Sequence, residues 1–164
     1  MQKFVRLAAV LVLIVGAAAA SDKGPRRILV LDDCDPADDG WTPTGGCTKD
    51  GGEVTFAEFF AAAPLGHPAW RNDPSYLKVP GTGNLQVANQ GGRTHTFTEV
   101  TAFGNGIVPP LNPNTNPPAD GCAVDFSESL LEPGGTLKLE RLEKGVHKYQ
   151  CCFHPWMRAE VRVD

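Results

Sequence analysis

Residues 149–157 have the sequence YQCCFHPWM, which places a thiol, an imidazole and a thioether close together near the end of the chain. These side chains belong to Cys151, His154 and Met157. Soft sulfur ligands combined with imidazole favour copper over hard cations such as magnesium or calcium. The spacing therefore predicts that one loop supplies three ligands of a copper site, with the upstream chain as its scaffold.

A fourth ligand is expected from the stretch GRTHTFT at residues 92–98, which carries His95. Threonine and phenylalanine favour strands, so His95 is predicted to lie on one. An isolated inward histidine is usually a hydrogen-bonded core residue rather than a ligand, but the loop needs a second imidazole. Two histidines, one cysteine and a weak axial methionine form a type 1, or blue, copper site.

The two remaining histidines are not expected to bind this metal. His147 precedes Cys151 by four residues on the same predicted strand, which separates them by roughly 13 Å at the usual strand rise. His67 lies in a connecting loop rich in proline and glycine, and nothing near it suggests a site. The predicted ligand set is therefore His95 together with the three loop residues.

The C-terminal pattern resembles the ligand motif of the cupredoxins, the plastocyanin- and azurin-like blue copper proteins. It consists of Cys-x-x-His-x-x-Met after a Gly-x-x-x-Tyr-x-Cys strand at residues 145–151, with a single histidine well upstream. The short ligand loop is most similar to that of the amicyanins. The resemblance begins near residue 77, and it implies a cupredoxin-like fold that binds one type 1 copper ion.

The resemblance also implies a role for each ligand. Cys151 corresponds to the copper thiolate, His154 to the loop imidazole, Met157 to the axial thioether and His95 to the upstream imidazole. Members of the family often have asparagine or serine after the upstream histidine, where the side chain braces the two ligand segments. Thr96 has that position here, and its hydroxyl can still donate one such hydrogen bond.

Strand-like segments separated by glycine and proline turns make up most of the chain after residue 25. Alternating or continuous apolar runs predict strands at residues 28–31, 76–79, 85–88, 94–101, 136–142, 146–152 and 158–163. The segments 76–79 and 85–88 are expected to be two strands about a turn. A capping-box pattern predicts a short helix at residues 56–63. The predicted fold is all-β: a Greek-key β-sandwich with a short N-terminal helix and long loops.

The N-terminus has the three-part pattern of a secretory signal peptide. Lys3 and Arg6 precede an apolar run at residues 7–15, and four alanines at 17–20 form a cleavage site. The apolar run is shorter than the roughly 20 residues that span a bilayer, so stable membrane insertion is not expected after cleavage. We expect a signal peptide at 1–20, an extension packed on the sandwich at 21–74, a cupredoxin-like domain at 75–164, and a periplasmic or secreted protein.

Export changes the expected state of the five cysteines, because thiols tend to pair in oxidising compartments. Cys34 and Cys47 bracket a turn-rich segment and form the natural local pair. With Cys151 reserved for the metal, Cys122 and Cys152 remain for each other. Adjacent strand residues point to opposite faces, so the alternation also permits Cys152 as the ligand and Cys151 as the structural cysteine.

Fifteen basic and nineteen acidic residues give a net charge of −4. This balance argues against a nucleic-acid partner, because phosphate binding depends on lysine and arginine. Acidic residues cluster at 32–39, where an exposed, solvated loop is favoured over a calcium site because the spacing does not fit an EF-hand. The alternative role for this cluster is docking a basic partner.

The pattern favours an exported electron carrier, acting as a monomer with a transient redox protein as partner. Phe153, Pro155 and Trp156 flank the ligand His154, and by resemblance to the cupredoxins they should form an apolar docking patch around its ring edge. The alternative function is copper capture or delivery without a redox role.

Two further classes fit the sequence less well. A copper enzyme is not expected, since the chain has four histidines and no His-x-His pair for additional copper centres. A zinc-filled or metal-free domain stapled by disulfides is also disfavoured, because methionine is a poor zinc ligand and one thiolate is atypical of structural zinc.

Overall fold

The computed structural model describes residues 26–81 and 83–164, and the predicted signal peptide lies outside them. The described residues form ten strands, one short α-helix and four 3-10 turns. The strands are β1 (Arg26–Leu31), β2 (Arg71–Asp73), β3 (Tyr76–Val79), β4 (Leu85–Asn89), β5 (His95–Thr96), β6 (Thr98–Val100), β7 (Leu130–Leu131), β8 (Thr136–Leu139), β9 (Gly145–Gln150) and β10 (Arg158–Val163). The helix is α1 (Phe56–Ala61), and the 3-10 turns are Asp39–Thr44, Pro109–Leu111, Asp120–Cys122 and Ser127–Ser129.

The strands form two four-stranded sheets and one separate pair. The first sheet has the order β2-β1-β4-β8 and the second has the order β3-β10-β9-β6, while β5 pairs with β7. Both large sheets are mixed, because β1 runs parallel to β4 and β3 runs parallel to β10. Neighbouring strands are often distant in sequence, as Greek-key connections require. The predicted all-β sandwich is confirmed.

Alternating residues of the strands fill the core between the sheets. In β1 the buried residues are Ile28 and Val30, and in β10 Val161 and Val163 point inward in the same way. Burying each such side chain contributes about 1.5–3 kcal/mol to folding. The core continues beyond the strand ends into an aromatic cluster that includes Trp41, where it packs beside the C-terminal loop.

The strands at 76–79 and 85–88 are present, but they do not form a hairpin. β3 pairs with β10 in the second sheet, whereas β4 lies between β1 and β8 in the first. The connecting turn therefore crosses from one sheet to the other. Local alternation predicts a strand, but it does not select the partner strand, which depends on long-range burial.

The predicted strand at 94–101 is broken at Phe97, which corrects the expected alternation. Residues before the break pair with β7 and residues after it pair with β9. In an unbroken strand His95, Phe97 and Glu99 would share one face, but the first two are buried and Glu99 is exposed. The change of partner at Phe97 resets the alternation, so His95 points inward while Glu99 points outward.

The segment 26–73 is integrated into the sandwich. β1 lies between β2 and β4, so this segment supplies two of the four strands of the first sheet. The predicted division of the chain at residue 74 remains a prediction. Thr55 and Glu58 form the expected capping box, and α1 ends two residues earlier than predicted, at Ala61. No helix of the described residues has the length and apolar character needed to cross a membrane.

Candidate metal centre

The C-terminal loop is a tight connection between β9 and β10, closed by two backbone hydrogen bonds. The amide of Cys151 donates to the carbonyl of Met157 at 3.0 Å, and the amide of Met157 donates to the carbonyl of His154 at 2.9 Å. These bonds fold the six intervening peptide links into one turn. The local spacing of the three residues therefore brings their side chains to the same end of the sandwich.

Two imidazoles face the thiol of Cys151. Its Sγ lies 3.5 Å from Nδ1 of His154 and 3.7 Å from Nδ1 of His95. The three ligand atoms lie within 4.8 Å of one another, and all three residues are buried. When a divalent metal binds nitrogen at about 2.0–2.1 Å and sulfur at about 2.3 Å, the nitrogen and sulfur atoms lie about 3.6–3.8 Å apart at tetrahedral to trigonal angles. The donor set therefore fits a metal ion.

Met157 is fully buried and belongs to the same core cluster as Cys151. A buried thioether at the end of the ligand loop suits the weak axial position of a blue copper site. Its role as a ligand remains a prediction, whereas its backbone closes the loop as described above.

The environment of Cys151 favours the thiolate. Burial raises the pKa of the thiol, but the charge and hydrogen bonding of His154, followed by those of His95, outweigh burial and hold the pKa well below its ordinary value. The amide of Thr96 also points at Sγ, at 3.4 Å. Because thiolates rather than thiols bind metals, the site is prepared electrostatically for a soft cation.

Thr96 braces the two ligand segments as expected, although its hydroxyl accepts rather than donates the connecting bond. The amide of Cys152 donates to Oγ1 of Thr96 at 2.8 Å, and the hydroxyl of Thr98 donates to the same oxygen at 2.9 Å. The short strand that carries His95 is thereby tied to the residue after Cys151.

His95 is held from behind by a carboxylate that the sequence did not reveal. Nε2 of His95 lies 2.7 Å from Oδ2 of Asp32, and both side chains are fully buried. Burial lowers the pKa of His95, but the hydrogen bonds to Asp32 and then Cys151 outweigh it and raise this pKa to about 9. Asp32 was expected in an exposed acidic loop, yet it is only 1% exposed. Its position directly after the buried run 28–31 was the available signal.

His154 is recessed rather than presented on a flat surface. Burial lowers its pKa, and its ring packs edge-on against Phe59 with centroids 5.6 Å apart. One side of the ring lines a pocket of about 530 Å³. The pocket has largely apolar walls, to which the aromatic residues Trp41, Phe56, Phe60 and Phe153 contribute. Residues of the N-terminal segment therefore form much of the surface around this histidine.

The three expected docking residues differ in exposure. Phe153 and Trp156 are partly exposed, whereas Pro155 is buried. The indole of Trp156 lies directly over Gly66, where an added Cβ would collide with the ring. Trp156 is thus fixed against the loop that follows α1.

Two disulfides account for the other four cysteines. Cys34 is bonded to Cys47, and Cys122 is bonded to Cys152, while Cys151 is free and buried. Cys151 therefore faces the imidazoles, and its neighbour points away to fix the 3-10 turn that carries Cys122. The reverse assignment of the adjacent cysteines does not occur.

The other two histidines lie away from this centre, as expected. Nδ1 of His147 lies 2.7 Å from a carboxylate oxygen of Glu99, on a side chain pointing out of the second sheet. His67 packs edge-on against Trp70 with centroids 5.6 Å apart. Among the described residues, His95, Cys151 and His154 are the group of three histidine, cysteine or acidic side chains with converging ligand atoms.

No protein-family model matches the chain. No curated protein matches it in sequence. Solved structures that it resembles include a purple cupredoxin from Nitrosopumilus maritimus, at 19% identity and a TM-score of 0.45, covering 85% of this chain and 99% of the other. An oxidised amicyanin variant matches at 14% identity and a TM-score of 0.44, and the match covers 90% of each chain. A Cu(I) form of another amicyanin variant matches at 19% identity and a TM-score of 0.40, covering 57% of this chain and 73% of the other.

The matched structures are cupredoxins, the family that the ligand motif resembles. The description of the fold rests on the strand pairing of this chain, and that of the centre rests on the distances between its own side chains.

Proposed function

We propose that this protein binds one copper ion in a type 1 centre and carries single electrons between redox partners. The proposed ligands are His95, Cys151 and His154, with Met157 in the axial position. The supporting observation is the approach of two Nδ1 atoms to one free, buried thiol at 3.5 and 3.7 Å. One thiolate, two imidazoles and a thioether are the ligands of blue copper sites.

A bound copper ion supplies a one-electron couple, and the protein limits how far its ligands move when the charge changes. Cys151 follows directly on a paired strand, and its amide is bonded to the far end of the loop at 3.0 Å. His95 is held by a buried carboxylate at 2.7 Å. Ligands fixed in this way undergo little rearrangement on reduction, which favours rapid electron exchange.

Electrons would pass through His154, since its ring joins the metal-facing thiol to the pocket surface. Phe153 and Trp156 are partly exposed beside it and would contact the partner. A small apolar surface suits a redox protein that docks briefly and leaves. We propose a monomeric carrier without catalysis of its own.

Export to the periplasm or outside the cell is part of the same proposal. The N-terminal pattern supports it, and two disulfides among the described residues fit an oxidising compartment.

Burial of the ligands favours a carrier over a copper-delivery protein. His154, the most exposed of the three donors that converge, has only 8% of its surface accessible. A delivery site must exchange its copper readily, whereas a carrier retains it through many cycles. We therefore expect a chelator to remove copper slowly from the folded protein.

The test is a visible absorption and EPR titration of the purified mature protein with one equivalent of Cu(II). We expect an intense thiolate-to-copper band, narrow hyperfine splitting, and reversible reduction and reoxidation. Cys151→Ala should abolish the band. The double variant Cys122→Ala/Cys152→Ala is the matched control, because it removes two sulfur atoms without touching the proposed ligands. A pale spectrum that neither variant changes would refute the proposal.

A further inference from the structure

Asp32 and His95 form a fully buried pair at the base of the proposed copper site. Oδ2 of Asp32 lies 2.7 Å from Nε2 of His95, on the opposite side of the ring from the nitrogen that faces Cys151. The carboxylate comes from the end of β1, in the N-terminal segment. It contacts a proposed ligand without contacting the metal position itself.

The surroundings of Asp32 require a carboxylate rather than an amide. Oδ1 accepts the amide of Gly92 at 2.9 Å and approaches that of Cys34 at 3.4 Å, while Oδ2 accepts the amide of Arg93 at 3.1 Å. With His95, four donors converge on two oxygens. An ionised carboxylate is an acceptor only, and both oxygens of Asp32 meet donors in this buried position. Asp32 is therefore negatively charged inside the protein.

We propose that Asp32 is a positioning residue that sets the reduction potential of the copper centre, favouring Cu(II) over Cu(I) through its hydrogen bond to His95. This inference rests on the proposed function. It assigns a redox role to the N-terminal segment, which supplies Asp32 to a centre whose proposed ligands all lie after residue 90.

The first part of the mechanism concerns the proton of the imidazole. A hydrogen bond from Nε2–H to Asp32 keeps the proton on that nitrogen, which leaves the lone pair of Nδ1 for the metal. Carboxylates bonded to a ligand histidine in this way fix its orientation and increase its basicity. A more basic imidazole stabilises the more highly charged metal ion.

The second part concerns charge. Asp32 and the thiolate of Cys151 would together balance the two positive charges of a bound Cu(II), whereas reduction would leave one negative charge in excess in a buried site. Uncompensated charge is costly at low dielectric. The two nearby cations are bonded to other groups than the Asp32 carboxylate. The guanidinium of Arg93 donates to the carbonyls of Thr44 and Gly46, and the ammonium of Lys49 donates to the backbone carbonyl of Asp32 and to the carboxylate of Asp33.

The test compares the reduction potentials of copper-loaded wild type, Asp32→Asn and Asp33→Asn by spectroelectrochemical titration. Asp33→Asn is the matched control: it removes the same charge one residue away, from a side chain that is paired with Lys49 and 35% exposed. We expect Asp32→Asn to shift the potential upward, and Asp33→Asn to leave it close to wild type. Equal potentials in the two variants would overturn the proposal.

A second measurement tests for the hydrogen bond through which Asp32 is proposed to act on His95. In the reduced, diamagnetic protein, ¹H–¹⁵N NMR should show a strongly downfield, slowly exchanging Nε2–H for His95 in wild type and in Asp33→Asn, but not in Asp32→Asn. If Asp32→Asn fails to fold, Asp32→Ser removes the charge with a smaller side chain, and it should show the same upward shift.

The possible failures are distinguishable. Absence of the downfield Nε2–H in wild type overturns the proposal whatever the variants do. A wild type that forms no reversible copper couple refutes the proposed function instead.

Discussion

The ring of Phe59 packs edge-on against the imidazole of His154, with centroids 5.6 Å apart and ring planes at 87°. Phe59 belongs to α1 and is 3% exposed. This contact joins the N-terminal segment to the loop that carries the proposed copper ligands. It makes α1 part of the wall that separates the centre from solvent.

Replacing Phe59 with alanine should loosen the centre without removing a ligand. A buried phenylalanine truncated to alanine costs about 3–5 kcal/mol, so urea unfolding should show a correspondingly lower stability. We also expect a chelator to extract copper severalfold faster, because water gains access to His154. Phe60→Ala is the control on the same helix, since Phe60 is 47% exposed. Equal extraction rates for the two variants would contradict a shielding role for Phe59.

Removing the disulfide next to the proposed thiolate should reduce stability and leave the colour unchanged. Cys122 and Cys152 are separated by 30 residues and Cys34 and Cys47 by 13, and chain entropy predicts losses of about 3.6 and about 2.9 kcal/mol for the two bonds. Paired Cys→Ser substitutions at each bond, followed by denaturant unfolding, measure these losses. Loss of the visible band in the Cys122/Cys152 variant would show that the bond is needed to position Cys151.

Met157→Leu tests the axial position. Leucine replaces methionine in cores at a cost of less than about 1.5 kcal/mol, so the protein should stay folded and keep its intense band. We expect an upward shift in reduction potential if Met157 is a ligand, because its thioether would donate electron density to Cu(II), and a weak thioether ligand tunes the potential of blue copper sites. An unchanged potential and EPR spectrum would mean that Met157 is a core residue and not a ligand.

The pair of His147 and Glu99 gives a pH dependence away from the metal. Burial lowers the pKa of His147, but its hydrogen bonds to the carbonyl of Glu143 and to Glu99 outweigh burial, so the pKa is raised. A raised pKa in the folded state gives stability that is complete below the unfolded pKa of about 6.5. That stability is lost as the pH rises through the folded pKa.

Glu99→Gln should lower the pKa of His147, which an NMR titration of its ring protons measures directly. Glu143→Gln is the control, because it keeps the backbone hydrogen bond to the imidazole at 2.8 Å and because the charge of Glu143 raises this pKa less than Glu99 does. A larger shift in the control than in Glu99→Gln would contradict the assignment of this ion pair.

The local sequence pattern was sufficient to predict those features whose physical cause involves only residues close together in the chain. Cys151, His154 and Met157 lie within one hydrogen-bonded turn, so their placement at the same end of the sandwich follows from the loop itself. The capping box at Thr55 predicted the start of α1, because its hydrogen bonds join residues three apart. Alternation of apolar residues predicted the strands, since one face of each is buried. Both disulfides could be suggested from the expected oxidising compartment and from the even number of cysteines that remain after Cys151.

Tertiary packing decided what joins distant segments. Three features depend on which surfaces bury one another, which local periodicity does not predict. They are the break at Phe97, the placement of β3 and β4 in different sheets, and the covering of His154 by Phe59. Asp32 is the sharpest case, since it contacts His95 across 63 residues of chain. The sequence by itself determined the proposed metal and three of its proposed ligands. Only the folded chain brings a buried carboxylate to the fourth, because charge complementarity between remote residues exists only after the sheets have packed.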